Sequence, residues 1–213
     1  MTTDPVVGIV LAGGRSSRFG GPKLQAQLDG KSLLAASIDA IASVASRVVV
    51  AGPNLPHDIG ETSVPIELIA DEVAFDGPLA AVAGALARLP SDATAIVVGG
   101  DMPSIVPAVL RAMLDRLGAD PSIDAVVLAQ PVLPGADTVS PRAVLPVALH
   151  IEPARTAARA ALEAGDTSLV RFLDRLATAE MPAVEWLALD PEGRTLDDVD
   201  RRVDLDRMRR KVR

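Results

Sequence analysis

LAGGRSSRFGGPK, Leu11–Lys23, follows the apolar run Val6–Leu11. A short apolar run that ends in glycine reads as a buried strand. The stretch after it carries four glycines (Gly13, Gly14, Gly20, Gly21) and three cations (Arg15, Arg18, Lys23). Glycines let a backbone turn sharply and bring its N–H groups close to an anion, and cations offset the anion's charge. A strand running into such a loop is built to hold phosphate. Two familiar phosphate loops are excluded by spacing. Gly30-Lys31-Ser32 has the end of a P-loop, but Gln25 stands where its first glycine belongs. The dinucleotide pattern G-x-G-x-x-G fails because Gly13 and Gly14 are adjacent.

The remaining chain has the alternation of an α/β fold. After the loop, Ser32 caps a helix to about Val44, with Leu33, Leu34, Ile38 and Ile41 at helical spacing. Arg47–Ala51 and Ile66–Ile69 read as strands. Asp76 or Gly77, with Pro78, opens a helix to about Leu89; Gly84 inside it implies close packing or a neighbouring ligand. Thr94–Val98 is a fourth strand, Ser104 or Pro107 starts a helix to about Leu117, and Ala125–Ala129 is a fifth strand. This rhythm predicts a three-layer, mostly parallel twisted sheet with helices on both faces. After Gln130 prolines interrupt it. Val144–His150 reads as an edge or antiparallel strand, Glu152–Ala164 and Ser168–Ala177 as helices, Val184–Leu189 as a late strand and Val203–Val212 as a terminal helix.

Composition narrows the chemistry. The 213 residues suffice for one domain, expected to divide into a nucleotide-binding half (1–117) and an acceptor half (118–213). With no cysteine, disulfides, thiolate metal sites and cysteine nucleophiles are excluded. His57 and His150 are far apart and form no ligand spacing. A net charge of −7 and only three Phe, one Trp and no Tyr argue against a nucleic-acid surface. The basic tail from Arg201 to Arg213 reads as a solvated helix end. MTTDPVV has no signal-peptide pattern, and no run is long enough for a membrane span. The expectation is a cytoplasmic protein, a monomer or weak oligomer, with no nucleic-acid or membrane partner.

Ligands of open parallel sheets bind at the carboxyl ends of the strands. Three acidic sites stand there on this reading: Asp71 after IELIA, Asp101 after TAIVVGG, and Asp198 with Asp200 near the end of the chain. Asp101 is the best metal ligand, since Mg²⁺ takes one or two carboxylates together with phosphate oxygens and water.

The loop as a whole resembles the signature L-A-G-G-x-S-x-R-M-G-x-x-K of nucleotidyltransferases of the molybdenum cofactor guanylyltransferase type. Leu11, Ala12, Gly13, Gly14, Ser16, Arg18, Gly20 and Lys23 match, with Phe19 in place of Met. Gly77-Pro78-Leu79 resembles that family's G-P-L-A-G, with Ala81 at the last position. Asp200-Arg201-Arg202-Val203-Asp204-Leu205 stands where the family has Asn or Asp followed by T-P-E-D-L. The resemblance implies the family's Rossmann-like nucleotidyltransferase fold with a late antiparallel strand. It implies nucleotide contacts at Leu11, Ala12, Gly13, Gly14, Lys23, Asp71, Gly77 and Asp101. It implies Mg²⁺ on Asp101, with Asp200 or Asp198 supplying a second ligand or orienting the first, and Arg18, Lys23 and Asp101 in catalytic roles. Arg142, Leu149 and the run Gly165-Asp166-Thr167-Ser168-Leu169 fall on its acceptor side. The implied reaction moves GMP from GTP to molybdopterin with loss of pyrophosphate. Another nucleoside triphosphate, a cytidylyl transfer, a phospho-acid or sugar-phosphate acceptor, or a regulatory domain that binds nucleotide without turnover all stay open.

Overall fold

The computed structural model describes residues 5–13, 18–53, 59, 62–70, 77–131 and 142–211. Strand β1 (Val6–Leu11) is followed, after the loop, by a 3-10 turn at Lys23–Gln25 and a two-strand hairpin, β2 (Gln27–Leu28) and β3 (Lys31–Ser32). Helix α1 (Leu33–Ala42) starts on Ser32, whose hydroxyl accepts the Ala35 N–H at 3.1 Å. Then come β4 (Arg47–Gly52), β5 (Ile66–Ala70), α2 (Pro78–Leu86), β6 (Thr94–Gly99), α3 (Pro107–Ala119), β7 (Ala125–Ala129) and β8 (Arg142–His150). The chain finishes with α4 (Ile151–Glu163), α5 (Leu169–Leu173), β9 (Thr178–Met181), α6 (Ala183–Leu187) and α7 (Arg202–Lys211).

The main sheet runs β5-β4-β1-β6-β8-β7-β9. Every pairing is parallel except those of β8, which is antiparallel to β6 and β7. Side chains alternate across it. Val7, Ile9 and Leu11 face α2, α4 and α5, whereas Val10 faces α1 and α3. Both faces are covered, so the inner strands are continuous apolar runs. A third, smaller cluster joins Phe19, Leu28 and Leu33 to Val199, Leu205 and Met208 of the C-terminal segment.

The three-layer expectation holds, with three local corrections. Ser32 caps α1 as expected, and a short hairpin precedes it. Asp29 (φ 50°) and Gly30 (φ 82°) make the tight turn of the hairpin, the geometry that an Asp-Gly pair favours. The antiparallel strand β8 lies inside the sheet, not at its edge. Its Pro146 is tolerated because the β7–β8 register slips between Val127 and Ala129, and only residues from Val147 onward pair with β6. The late strand is Thr178–Met181, not Val184–Leu189. Pro182 breaks the ladder and starts α6, which buries Trp186 and hangs its indole N–H on the Ala129 carbonyl at 2.9 Å. Val184, an alternating apolar position, is exposed. Finally, a Cβ on Gly84 would meet nothing within 4 Å, so no close packing requires that glycine.

Helix α2 ends on a side chain rather than on glycine. Arg155 of α4 donates to the Leu86 carbonyl through Nε (3.2 Å) and Nη2 (3.1 Å), and to the Leu89 carbonyl through Nη2 (2.6 Å). These carbonyls lie at and just past the helix end, and the planar guanidinium matches them. Arg155→Ala is expected to cost about 2 kcal/mol. A thermal melt should show this as a fall in Tm of roughly 4–8 °C, with little recovery in Arg155→Lys.

Candidate active site at the carboxyl edge of the sheet

The first part of the glycine-rich loop is bolted to two neighbouring strands. The Ala12 N–H donates to the Ala51 carbonyl at 2.7 Å, and the Gly100 N–H donates to the Leu11 carbonyl at 3.0 Å. The Ala12 amide is thereby committed to the sheet. Gly14 lies outside the described residues, as do Arg15 and Ser16. The loop's later part folds over the C-terminal segment, where Phe19 is buried and Arg18 is exposed.

Lys23 then points back to the sheet. Its Nζ donates to Asp101 Oδ2 at 2.6 Å and lies 3.5 Å from Asp200 Oδ1. The Lys23 side chain is only 11% exposed, against 26% for Asp101 and 51% for Asp200. Arg18 Nη1 reaches Asp200 Oδ2 at 3.4 Å. Four residues predicted for the site are thus gathered by three distant parts of the chain. Asp101 emerges just past β6, as expected for a ligand group at a strand's carboxyl end.

Asp200 arrives by a different route. The Val199 N–H donates to the Asp101 carbonyl at 3.0 Å, and the Val199 side chain is fully buried among Phe19, Leu28 and Leu33. That one anchored residue sets Asp198 and Asp200 beside Asp101. Upstream, buried Asp190 accepts the Thr195 N–H at 2.7 Å, and Thr195 Oγ1 accepts the Val106 N–H at 3.2 Å. This staple fixes the approach of the segment. Only the assembled fold reveals it, since its three residues share no local pattern.

Asp198 completes a carboxylate group. It lines the wall of a cavity of about 330 Å³ with Asp101, Met102, Gln130, Val144 and Leu196. Loss of hydration in the cleft raises its pKa above the ordinary carboxylate value, and the negative charges of Asp101 and Asp200 raise it further; Lys23 opposes them. The native state therefore holds the Asp198 proton more readily than the unfolded chain does. Stability from this group is present in acid and is lost as pH rises through the carboxylate range. Asp198→Asn is expected to raise Tm near neutral pH, and the gain should vanish as the buffer is acidified. Melts taken from about pH 4 to about pH 8 check this.

Gly77 caps α2 at φ 90°, where side chains are strained, and a Cβ there would lie 3.0 Å from Thr167 Cβ. It brings the start of α2 against the Gly165–Leu169 run. Arg142 of β8 is paired with Asp174. Asp71 and Asp76 lie outside the described residues.

Asp101 and Asp200 converge on one ammonium group and are hard oxygen donors. Among the described residues, no set of three or more His, Asp or Glu is arranged to hold a metal by protein atoms alone. Two carboxylates suit Mg²⁺, which completes its shell with phosphate oxygens and water. No described helix is long and apolar enough to cross a membrane.

Comparison with known proteins places the fold and the family. The chain is 37% identical over 109 residues to a probable molybdenum cofactor guanylyltransferase of Chloroflexus aggregans; the match covers 50% of each. The chain thus spans about half the length of that curated relative. Two solved structures share the fold over nearly the whole chain. Molybdopterin-guanine dinucleotide biosynthesis protein A from Archaeoglobus fulgidus gives a TM-score of 0.72 at 20% identity, covering 97% of this chain and 98% of its own. A 4-diphosphocytidyl-2C-methyl-D-erythritol synthase from Anaerococcus prevotii gives 0.73 at 13% identity, covering 98% and 96%. At such identities they speak for fold alone. A family model, the MobA-like NTP transferase domain, matches residues 8–180. With that match spanning most of its sheet and its glycine-rich loop, the chain belongs to the MobA-like NTP transferase family.

Proposed function

We propose that this chain is a cytoplasmic nucleotidyltransferase that moves GMP from GTP to a molybdopterin-type phosphate acceptor and releases pyrophosphate. The observation that carries the reading is the contact of Lys23 with Asp101 at 2.6 Å, with Asp200 3.5 Å away. The family match and the guanylyltransferase relative support it.

An ionised phosphate oxygen of the acceptor attacks the α-phosphorus in line, so no Ser, Cys or His nucleophile is required. The task of the protein is to bring two anions together. Leu11 and Ala12 hold the loop on the sheet, and Gly13 and Gly14 approach the triphosphate. Arg18 and Lys23 exchange their carboxylate partners for phosphate oxygens and neutralise them. Asp71 and Gly77 would contact the nucleotide, whose site is assigned to the half formed by residues 1–117. The acceptor enters beside Met102, Gln130 and Val144, in the cavity shared with the half formed by residues 118–213. Asp101 and Asp200 would hold Mg²⁺, which supplies charge neutralisation on the triphosphate.

Purified protein, given Mg²⁺ and molybdopterin with each of the four nucleoside triphosphates in turn, should release pyrophosphate fastest with GTP. Faster release with CTP would assign a cytidylyl transfer instead. Nucleotide binding without turnover on molybdopterin or a sugar phosphate would overturn the enzymatic reading.

A further inference from the structure

The glycine-rich loop carries its two active cations, Arg18 and Lys23, on either side of a turn with little internal support. The turn at 18–20 includes Gly20 at φ 75°, and Gly21 follows it. A loop so rich in glycine needs an outside hold, because each glycine adds backbone freedom that must be removed to present a defined surface.

Arg202, the first residue of α7, touches this turn at two places and passes beside Gly21. Its guanidinium stands over the Phe19 ring, 5.4 Å from the centroid. Its Nε donates to the Phe19 carbonyl at 3.3 Å. Its Nη2 would lie 3.9 Å from a Cβ built on Gly21. Phe19 in turn is only 6% exposed and packs with Leu205 and Met208 of the same helix. The helix start is itself fixed: Asp204 Oδ2 accepts the Arg201 N–H at 2.7 Å and the Asp200 N–H at 3.2 Å, as in a capping box. A second guanidinium on α7, Arg209, donates to the Gln27 carbonyl of the hairpin at 2.8 Å. The loop is therefore gripped from both sides by one short segment. Asp200 takes its cations, and Arg202 takes the ring and carbonyl between them. Phe19 and Arg202 are also two positions at which the chain departs from the patterns quoted above, and they meet each other.

We propose that Arg202 is a positioning residue for the glycine-rich loop. It holds the turn around Phe19 so that Arg18 and Lys23 face the carboxylates and, with nucleotide present, the triphosphate. The proposal rests on the nucleotidyl-transfer reading only for what the loop grips.

The test compares the full chain with its Arg202→Ala, Arg202→Lys and Phe19→Met variants, without nucleotide, by amide hydrogen exchange. Loss of a charged hydrogen bond and a cation–π contact should speed exchange over residues 18–25 about tenfold in Arg202→Ala. Exchange in α7 and in the sheet should stay at the parental rate. Arg202→Lys keeps a cation over the ring without the planar fork and should recover part of the protection. In turnover assays the KM for nucleotide should rise about fivefold and the KM for acceptor should not move. Loop exchange within about twofold of the parent would overturn the proposal. So would an equal rise in α7, which would make Arg202 merely a structural residue of its helix. If the parent transfers no nucleotide, the reading of the site fails, and the exchange measurement still decides the role of Arg202.

Discussion

Asp101→Asn is expected to slow nucleotidyl transfer by about 10²–10³-fold at saturating substrates. The substitution keeps the size of the side chain and removes its charge. Asp101 is the carboxylate nearest to Lys23, at 2.6 Å, and the less exposed of the two that contact it. It also lines the cavity formed with Met102, Gln130 and Val144. A neutral amide there cannot balance a cation on the triphosphate, whether that cation is Lys23 or a bound Mg²⁺. Stability should change far less than rate. Asp200 remains within 3.5 Å of Lys23, and loss of one negative charge eases the repulsion on Asp198. The check is the initial rate of pyrophosphate release for parent and variant, with Tm as the fold control. A variant that keeps near-parental release would remove Asp101 from the chemistry.

Much of this site is legible in the sequence because its strongest signals are local. The glycine-rich loop follows its strand directly, and Asp101 follows TAIVVGG, so each sits at a strand's carboxyl end once the sheet forms. The α/β alternation reads out for the same reason, since buried parallel strands are apolar throughout. What the sequence leaves open depends on partners far along the chain. Val144–His150 is recognisable as an antiparallel strand, but its seat between β6 and β7 depends on a register slip around Pro146. Val184–Leu189 alternates like a strand, yet Pro182 and the indole contact of Trp186 with Ala129 make it a helix. Asp198 and Asp200 are visible as acids, whereas their place beside Asp101 comes from the Val199 amide bond to the Asp101 carbonyl. In the sequence Gly52 merely follows the strand Arg47–Ala51, whereas Gly84 reads as a glycine with close packing or a ligand beside it. The structure reverses the weight of those two positions.

Gly52 is the residue on which the loop's backbone rests. A Cβ there would lie 2.6 Å from both the carbonyl carbon and the oxygen of Ala12, and 3.0 Å from the Gly13 nitrogen. Those atoms are backbone and cannot rotate aside, so even Gly52→Ala must push the loop off β4 or part the Ala12–Ala51 hydrogen bond. Crowding of this kind costs about 1–3 kcal/mol. The larger consequence is geometric. A displacement near 1 Å in a group that positions substrate lowers turnover by about 10²-fold. Gly52→Ala is therefore expected to lower kcat/KM for the nucleotide by about 10²-fold and Tm by roughly 2–10 °C. Gly84→Ala supplies the matched control. It adds the same methyl group to the exposed side of α2, where nothing stands within 4 Å, and relieves a helix of an interior glycine. That variant should gain about 0.5–1 kcal/mol and keep its activity. Nucleotide titrations and melts of the two variants together separate a contact against the loop from a general intolerance of added bulk. Parental kinetics in Gly52→Ala would show that the loop finds its working shape without the support of β4.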